Sequence, residues 1–99
     1  MDKSVPVVVD LNKKVLDAVL NVNNELDMDD WHTCNTTHCW AGWIVHLAGE
    51  EGYALEEKTS APFAAYQIYK ASTGESMKQS NFYKENEEVM QLIKELGER

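Results

Sequence analysis

The run "WHTCNTTHCWAGWIVHLAG", Trp31 to Gly49, gathers all three histidines, both cysteines and all three tryptophans of a 99-residue chain. Three chemistries compete for it. The first is metal binding: His32, Cys34, His38, Cys39 and His46 are all competent zinc ligands, and a tetrahedral site needs four donors within about 2.0–2.3 Å of the ion. On a regular helix Cys39 and His46 project in similar directions but stand about 10 Å apart at 1.5 Å per residue, so one ion cannot take both. A site would have to draw His32 and Cys34 from the loop and His38 and Cys39 from the first helical turn, and H-x-C-x3-H-C is not a standard knuckle spacing. The expectation is no cofactor, with zinc on His32, Cys34, His38 and Cys39 as the lesser alternative.

The second chemistry is nucleophilic. Cys39 falls in a first helical turn, where free N–H groups and the helix dipole favour a thiolate. "THCWAGW" looks at a glance like the papain-type cysteine that precedes Trp and opens a helix, but Thr37 and His38 stand where glycine and a small residue belong. No histidine follows His46. His38 is a chain neighbour of Cys39 and does not face it; His32 could fold back onto Cys39, with Asp29 or Asp30 orienting it. The third chemistry is a Cys34–Cys39 disulfide, sterically possible over so short a loop but disfavoured in a reducing compartment. No catalytic set is complete. The favoured reading is that both cysteines are small buried side chains pinning the loop to the helix, with Thr36 or Thr37 as cap. His46 is expected to be partly buried and hydrogen-bonded to a loop or a tyrosine.

Four helices would position these residues. "DLNKKVLDAVLNVNNELD" carries Leu11, Val15, Val19 and Val22 at helical spacing, widened by Leu16 and Leu20, with Asp10 placed to cap the start. "TTHCWAGWIVHLAGEEG" sets Trp40, Trp43, Ile44 and Leu47 on one stripe, which makes both tryptophans core, and leaves Ala41 and Gly42 as low flanks for a close neighbour. Gly49 and Gly52 offer its stop. "TSAPFAAYQIYKASTG" has Ser60 as N-cap, a proline in the first turn and Gly74 as its end. "MKQSNFY" allows one turn capped by Ser80, and "NEEVMQLIKELG" from Asn86 buries Val89, Leu92, Ile93 and Leu96. Ahead of the first helix, "VPVVV" is expected to be an extended arm on the core, since Pro6 biases Val5 away from helix. The fold class is all-α, a compact bundle of about four helices with an extended N-terminal arm, and residues 1–99 form a single helical domain without metals or crosslinks being required.

Composition narrows the function. Net charge is −8, with acids grouped in "ELDMDD", "GEEG", "LEEK" and "KENEE" and lysines scattered. That pattern lacks the phosphate-neutralising patch that direct DNA or RNA binding needs. No window approaches 18 apolar residues, so no membrane span is expected. "MDKSVPVVVD" is too short an apolar run for a signal peptide, which makes cytoplasmic residence the default. An acidic face can also serve a protein partner, or mimic nucleic acid toward a protein that binds it.

"LDMDDWHTCNTTHCWAGWIVHLAGEEGYALE", and more loosely "FAAYQIYKAS" and "NFYKENEEVM", resembles a family of small bacterial and phage proteins. Its mark is a Trp-His-x-Cys-x-Thr-Thr-His-Cys-x-Ala-Gly-Trp signature, matched at Trp31, His32, Cys34, Thr36, Thr37, His38, Cys39, Ala41, Gly42 and Trp43. The likeness runs from about Leu26 onward. Trp40 stands where relatives often carry Arg or Leu, and Glu51 where they have Ala. The resemblance implies a phage or mobile-element context and carries no enzyme class. The leading expectation is a protein-binding or accessory protein, with self-association open to it, and with a structural Cys/His cluster. The rival is a cysteine- or zinc-dependent enzyme using His32, Cys34, His38 and Cys39, with Cys39 and His32 as its catalytic pair.

Overall fold

Residues 5–99 are described in a computed structural model of the chain. Its first feature is an arm rather than a helix. Val8 is buried and donates its N–H to the Ser72 hydroxyl at 2.9 Å, which lays residues 5–9 along the core. Helix α1, Leu11–Leu20, follows and buries Leu11, Val15, Leu16 and Val19 at three- and four-residue spacing. Asp10 does not cap it with its side chain as expected; it sits in the left-handed region at φ 55°, and its carbonyl accepts the N–H of Lys14. Beyond Leu20 the asparagines end the helix, Asn24 donating its side-chain amide to the Ala18 carbonyl at 3.0 Å. Termination there exposes Leu20 and leaves Val22 96% exposed, so neither belongs to the buried face expected of them.

The chain next forms a small three-stranded sheet that the sequence reading missed: β1, Glu25–Leu26; β2, His32–Cys34; β3, Thr37–His38. The order is β1-β3-β2, with β1 parallel and β2 antiparallel to β3. His32 lies opposite His38, Cys34 opposite Thr37, and a bulge separates the two pairs.

Helix α2, Trp40–Leu47, starts four residues later than Thr36, because "TTH" belongs to the turn and strand. Its cap is therefore Cys39, not Thr36 or Thr37. Trp40 to Val45 are all buried, as for a helix surrounded on every side. Gly49, one of the two glycines expected to stop this helix, turns the chain at φ 70°; the unexpected element is α3, Gly49–Lys58, which sets off from it in a new direction. Helix α4, Ala61–Thr73, has Ser60 accepting the Phe63 N–H at its start and Gly74 at φ 78° at its end. A 3-10 turn, Gln79–Tyr83, begins after Lys78 rather than at Ser80 and inserts Phe82 edge-on to Trp40, ring centroids 5.9 Å apart. Helix α5, Asn86–Gly97, buries Val89 and Ile93, with Leu92 and Leu96 half-buried at the rim.

The described residues form a compact, mostly helical bundle of five α-helices with α2 at its centre, which packs on α1, α3 and α4 while α5 closes over α1. Trp40, Phe82, Leu11, Ile44, Ile68 and Ile93 are among its fully enclosed large residues. Among the described residues no helix is long and apolar enough to cross a membrane.

Candidate functional site

Opposed residues of an antiparallel pair send their side chains to the same face of the sheet. The β2–β3 register therefore brings His32 and His38 together, Nδ1 to Nδ1 at 2.7 Å. The other nitrogen of His32, Nε2, meets Glu56 Oε1 of α3 at 2.7 Å. The other nitrogen of His38, Nε2, meets the Asn35 carbonyl at 3.1 Å, inside the hairpin turn. Glu56, His32, His38 and Asn35 thus form one continuous relay. His46 of α2 stacks on His38, ring centroids 4.5 Å apart, and its Nδ1 shares a hydrogen bond with the Tyr53 hydroxyl at 2.9 Å. Trp43 closes the group edge-on to His38 and donates its indole N–H to the Glu25 carbonyl of β1 at 2.9 Å.

Partners fix where the protons lie. A carbonyl only accepts, so His38 Nε2 carries a hydrogen. With His38 neutral its Nδ1 is a bare acceptor, and His32 Nδ1 must then donate to it. Every link is satisfied if His32 is an imidazolium donating to a Glu56 carboxylate, or if a protonated Glu56 donates to a neutral His32. The link is also satisfied if His38 carries the charge. In each arrangement the relay holds one proton more than a carboxylate and two neutral imidazoles. Without it two lone pairs face each other across 2.7 Å. His38 is 1% exposed, and burial pushes its pKa below the ordinary value, helped by the nearby His46 and His32 and opposed by the Asn35 carbonyl. The His32–Glu56 end, by contrast, keeps some contact with water. Burial, and secondarily His32, lowers the pKa of His46 in the same way. Tyr53 is raised by burial and by Glu56, so its phenol stays neutral.

The cysteines part company. Cys39 is buried and accepts the Gly42 N–H on Sγ at 3.3 Å, a helix cap made by sulfur. Burial pushes its thiol up to about 11, outweighing the Gly42 and Ala41 N–H groups that favour the thiolate. Cys34 is exposed at the turn, contrary to the expectation that both are buried. The hydroxyl and N–H of Thr36, and then Thr37, bring its thiol down to about 7. Both cysteines are free. His32 does not turn to Cys39; its two ring nitrogens are taken by His38 and Glu56. Among the described residues no three His, Cys, Asp or Glu side chains are grouped to hold a metal ion. His46, set apart from a site with Cys39 by helix geometry, instead joins the other two histidines by stacking.

Asp29 and Asp30, the candidate orienters of His32, stand elsewhere. With Met28, Trp31, Phe82 and Tyr83 they line a surface concavity of about 210 Å³. The Trp31 ring meets Tyr83 edge-on at 5.6 Å. The loop beneath is tied down at several points: the Met28 N–H bonds to Asn86 Oδ1 at 2.7 Å, the Asp29 N–H to Asp27 Oδ1, and the Trp31 carbonyl accepts from Cys39 N–H. Gly42 matters here, because a Cβ on it would run into the Trp31 carbonyl. The neighbour that needs this low flank is the hairpin backbone and not another helix.

Glu56 is the residue that sequence reasoning missed, and Tyr53 is the tyrosine partner expected of His46 without its number. Their nearest signal is the i, i+3 spacing in "YALE", which puts both on one face of α3. No family model matches the chain, and no curated protein or solved structure matches it.

Proposed function

We propose that this chain is a small acidic protein-binding or accessory protein, of phage or mobile-element origin, in which the histidine relay is a structural knot. One observation carries the reading: the relay is closed at both ends, by Glu56 on α3 and by the Asn35 carbonyl in the turn, and so has no free nitrogen at its buried end for a substrate. Cys39, the nucleophile that helix position favours, is spent as a buried cap. The phage or mobile-element context rests on the signature from Trp31 to Trp43. Expression of the tagged chain in a bacterial host, in-cell crosslinking and mass spectrometry test the binding. A discrete stoichiometric partner or a defined self-associated species supports the reading, provided it is lost in a variant altered on the surface and kept in one altered at the knot but still folded. A strictly monomeric chain that crosslinks to nothing above the tag control refutes it.

A second reading follows from Cys34, whose exposed thiol, brought down to about 7 beside the Thr36 hydroxyl, is about half thiolate near neutral pH. Cysteine chemistry, if the chain performs it, centres on Cys34 and not Cys39. Substitution of Cys34 by Ser would then abolish the activity while leaving stability unchanged.

A further inference from the structure

The concavity beside the hairpin has a composition that selects its occupant. From the geometry we infer that it receives one arginine side chain of a partner protein, a step that rests on the binding reading above. At about 210 Å³ it is smaller than the roughly 300–1,000 Å³ of pockets that enclose whole small molecules, and so suits the head of a single side chain. Its walls supply the two features a guanidinium uses. Asp29 and Asp30 offer carboxylates that can accept paired N–H bonds, and the half-buried Trp31 and exposed Tyr83 offer rings whose negative faces attract a cation, over a floor that includes the buried Phe82. A planar guanidinium can stack on a ring and fork onto a carboxylate at once, which a lysine ammonium cannot. The chain's charge of −8 adds long-range attraction for a basic partner and repels an anionic one.

The site is also built in advance. Asn86 Oδ1 at the start of α5 and Cys39 N–H at the start of α2 hold the Met28–Trp31 backbone, so ordering the loop costs little on binding. A second copy of this chain is a poor occupant. Its one arginine is Arg99, which pairs with Glu75 at 3.4 Å and borders a different groove. The arginine inferred here is accordingly placed on another protein.

The test is a two-dimensional amide NMR titration of the full chain with acetyl-Gly-Arg-Gly-amide, against the same peptide carrying citrulline, the neutral isostere, or lysine. Saturable shifts centred on residues 28–31, 82 and 83 and on the Trp31 indole are expected. Citrulline should bind at least about tenfold more weakly, because it loses the charge that the carboxylates and rings recognise. The double variant Asp29→Asn, Asp30→Asn should lose about tenfold in affinity and Tyr83→Ala about threefold. These side chains are exposed, so both variants should keep the native spectrum. Shifts that do not saturate, that citrulline reproduces, or that persist undiminished in the Asp variants overturn the inference. If arginine fails in this way while the crosslinked partner remains, only the occupant is wrong. Loss of both results removes the binding reading as well.

Discussion

Acidification should unlock the histidine knot. His38 is enclosed by His32 on β2, by Trp43 and His46 on α2, and by the turn carbonyl of Asn35. Glu56 and Tyr53 face the group from α3. With His32 Nδ1 donating to it, a proton added to His38 Nδ1 would set N–H against N–H across the 2.7 Å gap and place a cation against the His46 ring. Both His38 and His46 are held below their ordinary value of 6.5 in the fold, first by burial. The unfolded chain therefore takes up these protons first. The stability they confer is complete above pH 6.5 and is lost as pH falls from there toward their folded values. In that window each histidine contributes a slope of at most about 1.4 kcal/mol per pH unit. His38 should approach this limit, and His46, which keeps some solvent contact, should give less. One to two pH units would then remove a few kcal/mol from a domain whose total is about 5–15 kcal/mol. Urea unfolding followed by circular dichroism at about pH 7.5, 6.5 and 5.5 reads the slope above the ordinary carboxylate range. A His46→Gln variant should show a shallower slope that is not zero. A stability unchanged between about pH 7 and 5.5 would refute the neutral, enclosed His38.

Three further outcomes follow from the same geometry. Glu56→Gln keeps an acceptor for His32 but loses the countercharge; a charge-assisted bond of this kind contributes about 1.5–3 kcal/mol, less where water reaches it, so a loss of about 1–2 kcal/mol is expected, or roughly 5–10 °C in Tm by calorimetry. Iodoacetamide at pH 7 followed by mass spectrometry should modify Cys34 rapidly, since its thiol at about 7 is about half thiolate, whereas Cys39 at about 11 should react only on unfolding; equal rates would show that Cys39 is not buried as a cap. Gly42→Ala should destabilise by about 1–3 kcal/mol although alanine gains about 1 kcal/mol in helix propensity, because the new Cβ meets the Trp31 carbonyl, which is held backbone and not a flexible side-chain tip; a more stable variant in urea unfolding would contradict that approach.

The elements legible in the sequence are those with strong local signals. Ser60, the following proline and Gly74 frame α4 closely, and Val89 and Ile93 mark the buried face of α5. Apolar spacing alone misjudged α1, because it counted Leu20 and Val22 after the asparagines had ended the helix. Gly49 marks a stop for α2, but nothing local announces that α3 starts from it at once in a new direction. The hairpin was hidden by length: strands of two and three residues are too short for an alternating pattern to stand out. Placing His38 and Cys39 on a helix then set the wrong geometry for the whole cluster. Read as paired strands, His32 and His38 oppose each other and Cys34 falls at the exposed turn. The identity of Glu56 as partner was beyond local reading, since it is 24 residues from His32 and reaches it only through the break between α2 and α3.

That hairpin also joins the histidine knot to the acidic concavity. Successive residues of an extended segment point to opposite faces. His32 turns inward to the relay, and its predecessor Trp31 turns to Tyr83 and the concavity. Between them the Trp31 carbonyl accepts the N–H of Cys39, the residue whose sulfur caps α2. Any shift of His32 away from His38 therefore pulls on the backbone that carries Trp31. Protonation of His38 should alter the concavity before the bundle unfolds, because a short hairpin can open while α1, α4 and α5 remain packed. The Trp31 indole resonance in the arginine titration is the reporter: as pH falls below about 6, toward the depressed folded value of His38, its bound shift should weaken in the native chain while the helical circular dichroism holds. If the indole response and the helical signal fall together, the knot and the concavity are parts of one cooperative unit, and the histidines hold the fold without tuning the surface.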